Sequence, residues 1–285
     1  MLFLILSIIC SVSVGILFKI APKFTTSNTQ IVGANYLFAL VLCFFAFQPD
    51  LNAIETNAPW GIYISIGILL PTVFLILATS IKHMGIVKTD AAQRLSLFIP
   101  ILAAWLLFHE EFSVLKVTAF LVAFPALVLL LTKKSDNTKN KWGYPAAVLI
   151  GFGIIDVLFK QISTYTSLPY TTSLFVVFGI SFTIMLAAIA YEINSKKVSF
   201  DYRNILFGGL VGIFNFGNIL FYLKAHQAFA KNPSTVFAGM NMGVIIIGSL
   251  VGLFIFKEKL TKTNFLGLLL ALIAVVLIVI SQTYI

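Results

Sequence analysis

Ten apolar segments, each long enough to cross a lipid bilayer, constrain the fold of this chain more than any other feature. A transmembrane helix needs about 20 mainly apolar residues to cross roughly 30 Å of hydrocarbon. The segments are continuous rather than alternating with a period of two, which favours helices over barrel strands. The sequence therefore predicts an all-α membrane protein with ten transmembrane helices. The predicted spans are Leu2–Lys19, Ile31–Phe47, Trp60–Ser80, Thr89–Phe108, Phe112–Leu131, Trp142–Ile162, Thr172–Ala190, Ile205–Lys224, Ser234–Phe256 and Leu260–Ile280.

The composition excludes other common classes of protein. Of the 285 residues, 60% are hydrophobic and 10% are charged, whereas a soluble globular chain has roughly 45–50% apolar and about 25% charged residues. The connections between the segments leave no room for a soluble domain. A net charge of +9 indicates membrane topology rather than nucleic-acid binding in such a chain. Cys10 and Cys43 lie in apolar segments and offer neither a metal cluster nor a disulfide framework.

The distribution of basic residues predicts the orientation of the chain. Lys19 follows the first apolar segment, whereas a signal peptide carries its positive charge before that segment. If the amino terminus is outside, most of the 19 lysine and arginine residues fall at inner ends and loops. Acidic residues such as Asp50, Glu55 and Glu110 then lie outside. Because inner loops are enriched in Lys and Arg, both termini are predicted to lie outside.

The two halves of the chain resemble each other. The letters ILFK at 16–19 match VLFK at 157–160, and WLLFHEE at 105–111 matches LFIFKEK at 253–259. Each copy contains five segments, which is an odd number, so the second copy enters the membrane from the opposite side. The sequence therefore predicts two inverted five-helix repeats, the usual architecture of an alternating-access transporter. Their bounds are 1–135 and 136–285.

The duplicated unit resembles the EamA-type ten-span exporters and importers of the drug/metabolite transporter superfamily. The resemblance covers essentially the whole chain and rests on Phe-x-Glu turns at Phe108–Glu110 and Phe256–Glu258, each followed by an uninterrupted apolar helix. It implies a secondary transporter of small metabolites in the bacterial inner membrane, without ATP hydrolysis, enzymatic activity or a cofactor. Members of this superfamily are often described with both termini in the cytoplasm, the opposite of the orientation that the charges predict.

Charged residues inside the apolar segments mark a candidate site, because a charge in a transmembrane helix costs about 2.5–3.5 kcal/mol on insertion scales. Asp90 with Arg94, and Asp156 with Lys160, are each four residues apart and share a helix face. One interpretation is two neutralised pairs whose basic stems reach the headgroups. The other is that Arg94 or Lys160 faces a central cavity and binds an anionic group. Asp156 and Asp90 are then candidate proton-coupling residues.

Uncharged polar residues extend the candidate substrate-binding set. Asn215, Asn218 and Tyr222 follow one another by about one helical turn and form one polar stripe. Gln93 lies opposite Asn241 in the register of the repeat. Such residues either form hydrogen bonds between helices or line a cavity, since a lipid-facing asparagine would be unsatisfied.

The sequence also limits the substrate class. No glutamate lies in the middle of a predicted span, although the small cationic-drug antiporters of the superfamily depend on one. The predicted substrate is therefore a zwitterionic or anionic metabolite, with amino acids as the leading candidates. Its predicted binding residues are Arg94, Gln93, Asn215, Asn218, Tyr222, Asn241 and Lys160.

Two other functions are compatible with a polytopic membrane chain. A non-transporting scaffold or sensor would be expected to carry a cytosolic interaction domain or long tails. An enzyme acting on lipids would need clustered catalytic residues, and the sequence contains no HExxH motif, phosphate loop or nucleophile–base constellation. The expected partners are a small-molecule substrate, protons as a candidate coupled ion, and the lipid bilayer. No nucleic-acid partner is expected, and the sequence does not specify an oligomeric state.

Overall fold

The computed structural model describes residues 1–24, 27–52, 54, 58–100, 102–103, 114–131, 141–164, 169–229 and 233–283. These residues are mainly helical, and the described part of the chain contains no strand. A 3-10 turn extends the first helix, and a π-helical turn at Val251–Ile255 extends the ninth. The helices are α1 (Leu2–Ile20), α2 (Asn28–Phe47), α3 (Trp60–Met84), α4 (Ile86–Leu95), α5 (Val114–Leu131), α6 (Gly143–Thr164), α7 (Tyr170–Lys196), α8 (Tyr202–Ala228), α9 (Pro233–Leu250) and α10 (Lys262–Thr283).

The lengths and composition of these helices are those of an integral membrane protein. Six of them, α1, α2, α3, α7, α8 and α10, are long and apolar enough to cross a bilayer within the described residues. Shorter apolar stretches occupy α5, α6 and the region from Gly239 to Ile255. The all-helical membrane fold predicted from the sequence is therefore confirmed, and the arrangement in ten spans stays a prediction.

The predicted span Thr89–Phe108 is not one continuous helix. The helix α4 begins before Thr89 and ends at Leu95, and Ser96–Leu97 form a turn before helical structure resumes. Pro100 accounts for the interruption, because its nitrogen cannot donate to the carbonyl four residues earlier and its ring crowds that carbonyl. The break lies directly after Arg94. In membrane transporters, interrupted helices of this kind commonly form the substrate site. Residues 104–113 lie outside the described part of the chain.

The contacts between helices follow a twofold pattern. The helix α1 packs on α8 and α9, while α6 packs on α3 and α4. The pair α2–α8 has its counterpart in α7–α3, and α9–α10 has its counterpart in α4–α5. Each helix can be exchanged with its equivalent in the other half, five positions away along the chain. This exchange leaves three contacting pairs unchanged, namely α2–α7, α4–α9 and α5–α10. This is the pattern expected of two related five-helix units, and the repeats 1–135 and 136–285 stay a prediction.

The two ends of the bundle can be told apart by their contacts. At one end, which we call the Met1 face, Phe3 stacks on Phe221 near the end of α8, with ring centroids 6.4 Å apart. At the other end, the Lys19 face, Lys19 at the end of α1 lies 3.2 Å from Glu258, between α9 and α10. The candidate site lies between these faces.

Candidate functional site

Asp90 lies in the first half of α4, where α1, α4 and α9 meet. It is 6% exposed, and its Oδ2 atom has no hydrogen-bond partner among the described residues. Two glycines from neighbouring helices leave space for the carboxylate. A Cβ atom on Gly248 would lie 2.5 Å from Oδ2, and one on Gly15 would lie 3.8 Å from Oδ1. A buried carboxylate that is not fully hydrogen-bonded is costly, so the site depends on a nearby positive charge.

Arg94, one turn further along α4, supplies that charge. Its Nη2 atom donates a hydrogen bond to Ser11 Oγ at 2.8 Å, whereas its Nε atom finds no acceptor within the described part of the chain. Asp90, Asp156 and Tyr222 all lie within electrostatic range of the guanidinium. The structure thus brings one arginine to two carboxylates from different helices, α4 and α6. The pairing of Asp156 with Lys160 that was predicted from sequence spacing stays a prediction, since the side chain of Lys160 lies outside the described part of the chain.

Asp156 is exposed although it lies on the inner side of α6. Ile150 and Ile154 are 52% and 41% exposed and mark the outer row of that helix. Asp156 follows Ile154 by two residues, which places it about 200° around the helix. Its electrostatic neighbours are Arg94, which is half-buried on α4, and Tyr170, which is 38% exposed at the start of α7. An exposed carboxylate on the inner side indicates that water reaches the interior of the bundle here.

A small cavity of about 40 Å³ lies beside Asp90 and Gln93, and Ser11, the hydrogen-bond partner of Arg94, also lines it. Its lining runs from Asn215 and Asn218 past Asp90 and Gln93 to Ile81, near the Lys19 face. A cavity of this volume has room for water molecules, since one water needs roughly 10–15 Å³ of probe-occupied volume. It is too small for a metabolite, so the site is closed toward the Lys19 face in this conformation.

A larger cleft of about 880 Å³ lies at the Met1 face, between the ends of α2, α7 and α8. Its lining includes Phe47, Tyr170, Lys224, His226 and Gln227. The volume falls in the range of roughly 300–1,000 Å³ that is usual for small-molecule sites. Tyr170 also lies within electrostatic range of the Asp156 carboxylate. Tyr170 is thus a described residue that both lines the cleft and lies near a charged residue of α6.

The polar stripe on α8 both joins helices and lines the small cavity. Asn215 Nδ2 donates to Asn35 Oδ1 of α2 at 3.2 Å, and Asn218 Oδ1 accepts from Ser7 Oγ of α1 at 2.8 Å. Both asparagines also face the small cavity. The two interpretations that the sequence left open are thus compatible. Tyr222 packs edge-on against His226, with ring centroids 4.6 Å apart.

Two predicted residues, Asn241 and Lys160, are not placed at the cavity by the described part of the chain. Asn241 is 9% exposed on α9 and is not among the described residues that line the small cavity. The side chain of Lys160 lies outside the described part of the chain. Sequence reasoning missed Tyr170, which stands at the start of α7 directly after Pro169. An aromatic residue at the end of a span is typical of the membrane interface. The sequence pattern therefore does not reveal that Tyr170 lies between the cleft and Asp156.

The glycines around Asp90 allow the candidate site to be tested by glycine-to-alanine substitutions, each of which adds one methyl group near the carboxylate. We expect Gly248→Ala to displace the Asp90 carboxylate, because overpacking in a tight interior costs about 1–3 kcal/mol. The half-saturating substrate concentration for transport should rise by roughly tenfold, the equivalent of about 1.4 kcal/mol. Gly15→Ala is the matched control, because its new Cβ atom would be in ordinary contact with Oδ1. Equal effects of the two variants would contradict the placement of Asp90 in the site.

Comparison with known proteins adds two relationships. Residues 1–132 match the model of the EamA-like transporter family. A protein of Haemophilus influenzae strain Rd, described as an uncharacterized protein, is 41% identical over 285 residues. That alignment covers 95% of each chain, so the similarity extends through both halves.

Proposed function

The chain belongs to the EamA-like transporter family of the drug/metabolite transporter superfamily, and we propose that it carries a small zwitterionic or anionic metabolite across the membrane. Amino acids are the leading candidates. The observation that carries this proposal is that the Arg94 guanidinium lies within electrostatic range of the carboxylates of both Asp90 and Asp156. A guanidinium binds a substrate carboxylate through paired, charge-assisted hydrogen bonds. The carboxylate that the substrate displaces from the arginine is then free to hold an ammonium group.

The accessibility of the two carboxylates favours a zwitterion over a simple anion. Asp156 is exposed inside the bundle, whereas Asp90 is buried. A substrate carboxylate at Arg94 would thus bring its ammonium group toward Asp156, and the two charges of the zwitterion would each meet an opposite charge. The amide groups of Gln93, Asn215 and Asn218 and the hydroxyl of Tyr222 supply further hydrogen bonds beside them. Asn241 and Lys160 remain proposed members of the site from the sequence alone.

Alternating access between two inverted repeats is the proposed mechanism, and the different states of the two faces support it. A cleft opens at the Met1 face, whereas polar contacts join the two halves at the Lys19 face. Gln30 of α2 donates to Ser199 O at 3.0 Å and accepts from Asn204 Nδ2 at 2.9 Å. Glu192 of α7 accepts from Thr29 Oγ1 at 2.9 Å. A conformation accessible from one side, with the other side closed, is one of the two end states that alternating access requires.

The charge distribution supports an orientation for this transport cycle. Basic residues gather on the Lys19 face, including Lys82, Lys196 and Arg203 at the ends of α3, α7 and α8. We place that face in the cytoplasm of a bacterium and both termini outside, with the protein in the inner membrane. The cleft at the Met1 face is then accessible from the outside.

Counterflow in proteoliposomes tests the proposed function. Liposomes loaded with millimolar unlabelled amino acids and diluted into trace labelled ones should accumulate label, because exchange needs no ion gradient. Liposomes without protein, and liposomes loaded with buffer alone, are the controls. If no label accumulated with any amino acid or with a panel of organic anions, the proposed substrate class would be contradicted. If cationic dyes were not transported either, a non-transporting scaffold or sensor would be favoured. Chemical conversion of a lipid by the protein would favour an enzyme.

A further inference from the structure

A carboxylate from the second half of the chain binds the first turn of α4. Glu258 Oε1 accepts a hydrogen bond from Ile86 N at 2.7 Å, and Oε2 accepts one from Val87 N at 3.2 Å. The first N–H groups of a helix have no partner within the helix, and the helix dipole favours a negative charge at this end. Glu258 therefore caps the helix that carries Asp90 and Arg94.

Lys19 joins the same contact from α1. Its Nζ atom lies 3.2 Å from Glu258 Oε1 and donates to Ile81 O at the end of α3 at 3.4 Å. The two charged side chains are only 24% and 10% exposed. We call this group the Glu258 latch, comprising Lys19, Ile81, Ile86, Val87 and Glu258. It ties three helices of the first half of the chain to the turn between α9 and α10.

Two glycines make space for the Glu258 carboxylate. Gly85 has φ +89°, a conformation that favours glycine, and a Cβ atom there would lie 2.5 Å from Glu258 Oε2. Gly252 lies in the π-helical turn, where its Cβ atom would lie 3.1 Å from the same oxygen. The N–H of Glu258 donates to Gly252 O at 2.9 Å and holds the turn in place. Local geometry on both sides of the contact is therefore fitted to this carboxylate.

The latch also lies where the path to the site is closed. The small cavity beside Asp90 and Gln93 extends to Ile81, whose carbonyl oxygen accepts from Lys19. The Lys19–Glu258 pair lies next to that carbonyl, at the end of the cavity that is nearer the Lys19 face. The helix α4 connects the two regions directly, because its first turn is capped by Glu258 and its second and third turns carry Asp90 and Arg94.

We propose that the Glu258 latch is the contact that closes the Lys19 face, and that its release opens the site to that face. Glu258 is a positioning residue in this proposal, since it holds α4 and acts on the substrate through that helix. The proposal rests on the proposed alternating-access function. In this proposal the Lys19–Glu258 ion pair, which joins the two halves of the chain, breaks in each cycle.

Cysteine accessibility tests the latch without a substrate. In a background of Cys10→Ala and Cys43→Ala, two reporters are used singly: Ile81→Cys beside the latch and Leu223→Cys in the cleft. The protein is placed in nanodiscs, which expose both faces, and labelled with a membrane-impermeant maleimide. We expect Glu258→Gln to raise the labelling rate of Ile81→Cys at least about tenfold, because hydrogen bonds to a charged group are among the strong ones. The rate at Leu223→Cys should fall in the same variant.

The reciprocal change separates a latch from a merely structural contact. General loosening of the fold would raise labelling at both reporters, and that outcome would overturn the proposal, as would unchanged labelling of Ile81→Cys. Asp201→Asn is the matched control, because Asp201 is also a helix-capping carboxylate on the Lys19 face, where it accepts from Arg203 N at 2.9 Å. We expect the control to leave both rates unchanged. Because the labelling uses no substrate, its result is independent of counterflow. Labelling can contradict the latch while counterflow confirms transport, and labelling can support the latch while counterflow shows no transport.

Discussion

Arg94→Ala is expected to reduce counterflow of the transported amino acid by at least about 100-fold at concentrations below half-saturation. Two charge-assisted hydrogen bonds to a substrate carboxylate contribute roughly 1.5–3 kcal/mol each, and each 1.4 kcal/mol is tenfold. The substitution also leaves Asp90 and Asp156 without their shared cation. Two carboxylates without a neighbouring cation repel an anionic group as well as failing to bind it. The measurement is the initial rate of label uptake into preloaded proteoliposomes.

Arg94→Lys and Arg203→Ala serve as the comparison variants. Lysine keeps the charge but not the planar fork of donors, so the hydrogen bond to Ser11 Oγ is lost and an intermediate rate is expected. Arg203 lies near Tyr202 at the start of α8 on the Lys19 face, and its removal should leave exchange unchanged. If Arg94→Ala exchanged as fast as the natural protein while being correctly folded, the substrate site would have to lie elsewhere, with the cleft at the Met1 face as the next location to probe.

The helices were predictable because bilayer crossing imposes a length and a composition that single segments carry by themselves. The sequence predicted α1 from Leu2 to Lys19, and the structure ends that helix at Ile20. The prediction was wrong at α4, where Gly85 and Pro100 are the relevant residues. Each is a single residue within or beside an apolar run. A hydrophobicity pattern averages over such residues, so it does not register where a positive φ or a missing N–H interrupts the helix.

The composition of the site was less predictable than its location. Spacing along one helix identified Asp90 with Arg94, because residues four apart share a face. The approach of Asp156 to the same guanidinium depends on how α6 packs against α4, and no local pattern contains that information. Glu258 was visible as part of a repeated Phe-x-Glu turn. Its contact with the N-terminus of α4 is a tertiary contact between the two halves of the chain. The repeated Phe-x-Glu sequence does not by itself specify such a contact.

Asp156→Asn is expected to abolish accumulation driven by a pH gradient while the protein still exchanges label in counterflow, at a rate lowered by the loss of the charge that faces the substrate ammonium group. Proton coupling needs a group that water can reach and that can gain and lose a charge during the cycle. Asp156 is exposed inside the bundle and close to Arg94, whereas Asp90 is 6% exposed and enclosed by glycines. Asparagine keeps the shape and one acceptor of the carboxyl group but cannot carry a proton. The measurement is uptake under an imposed pH gradient of each polarity, compared with exchange at equal pH.

The ratio of these two rates separates the roles that Asp156 can have. If its carboxylate only holds the ammonium group of the substrate and carries no coupled proton, exchange and driven uptake fall to the same degree in the asparagine variant, and the coupling role is contradicted. If it carries the coupled proton, driven uptake falls far more than exchange. Asp50→Asn is the matched control, since Asp50 is an exposed residue after α2 that accepts from Asn52 N at 3.0 Å. Asp90→Asn completes the comparison. Because the buried Asp90 carboxylate serves mainly to neutralise Arg94, its replacement should lower exchange and driven uptake to the same degree.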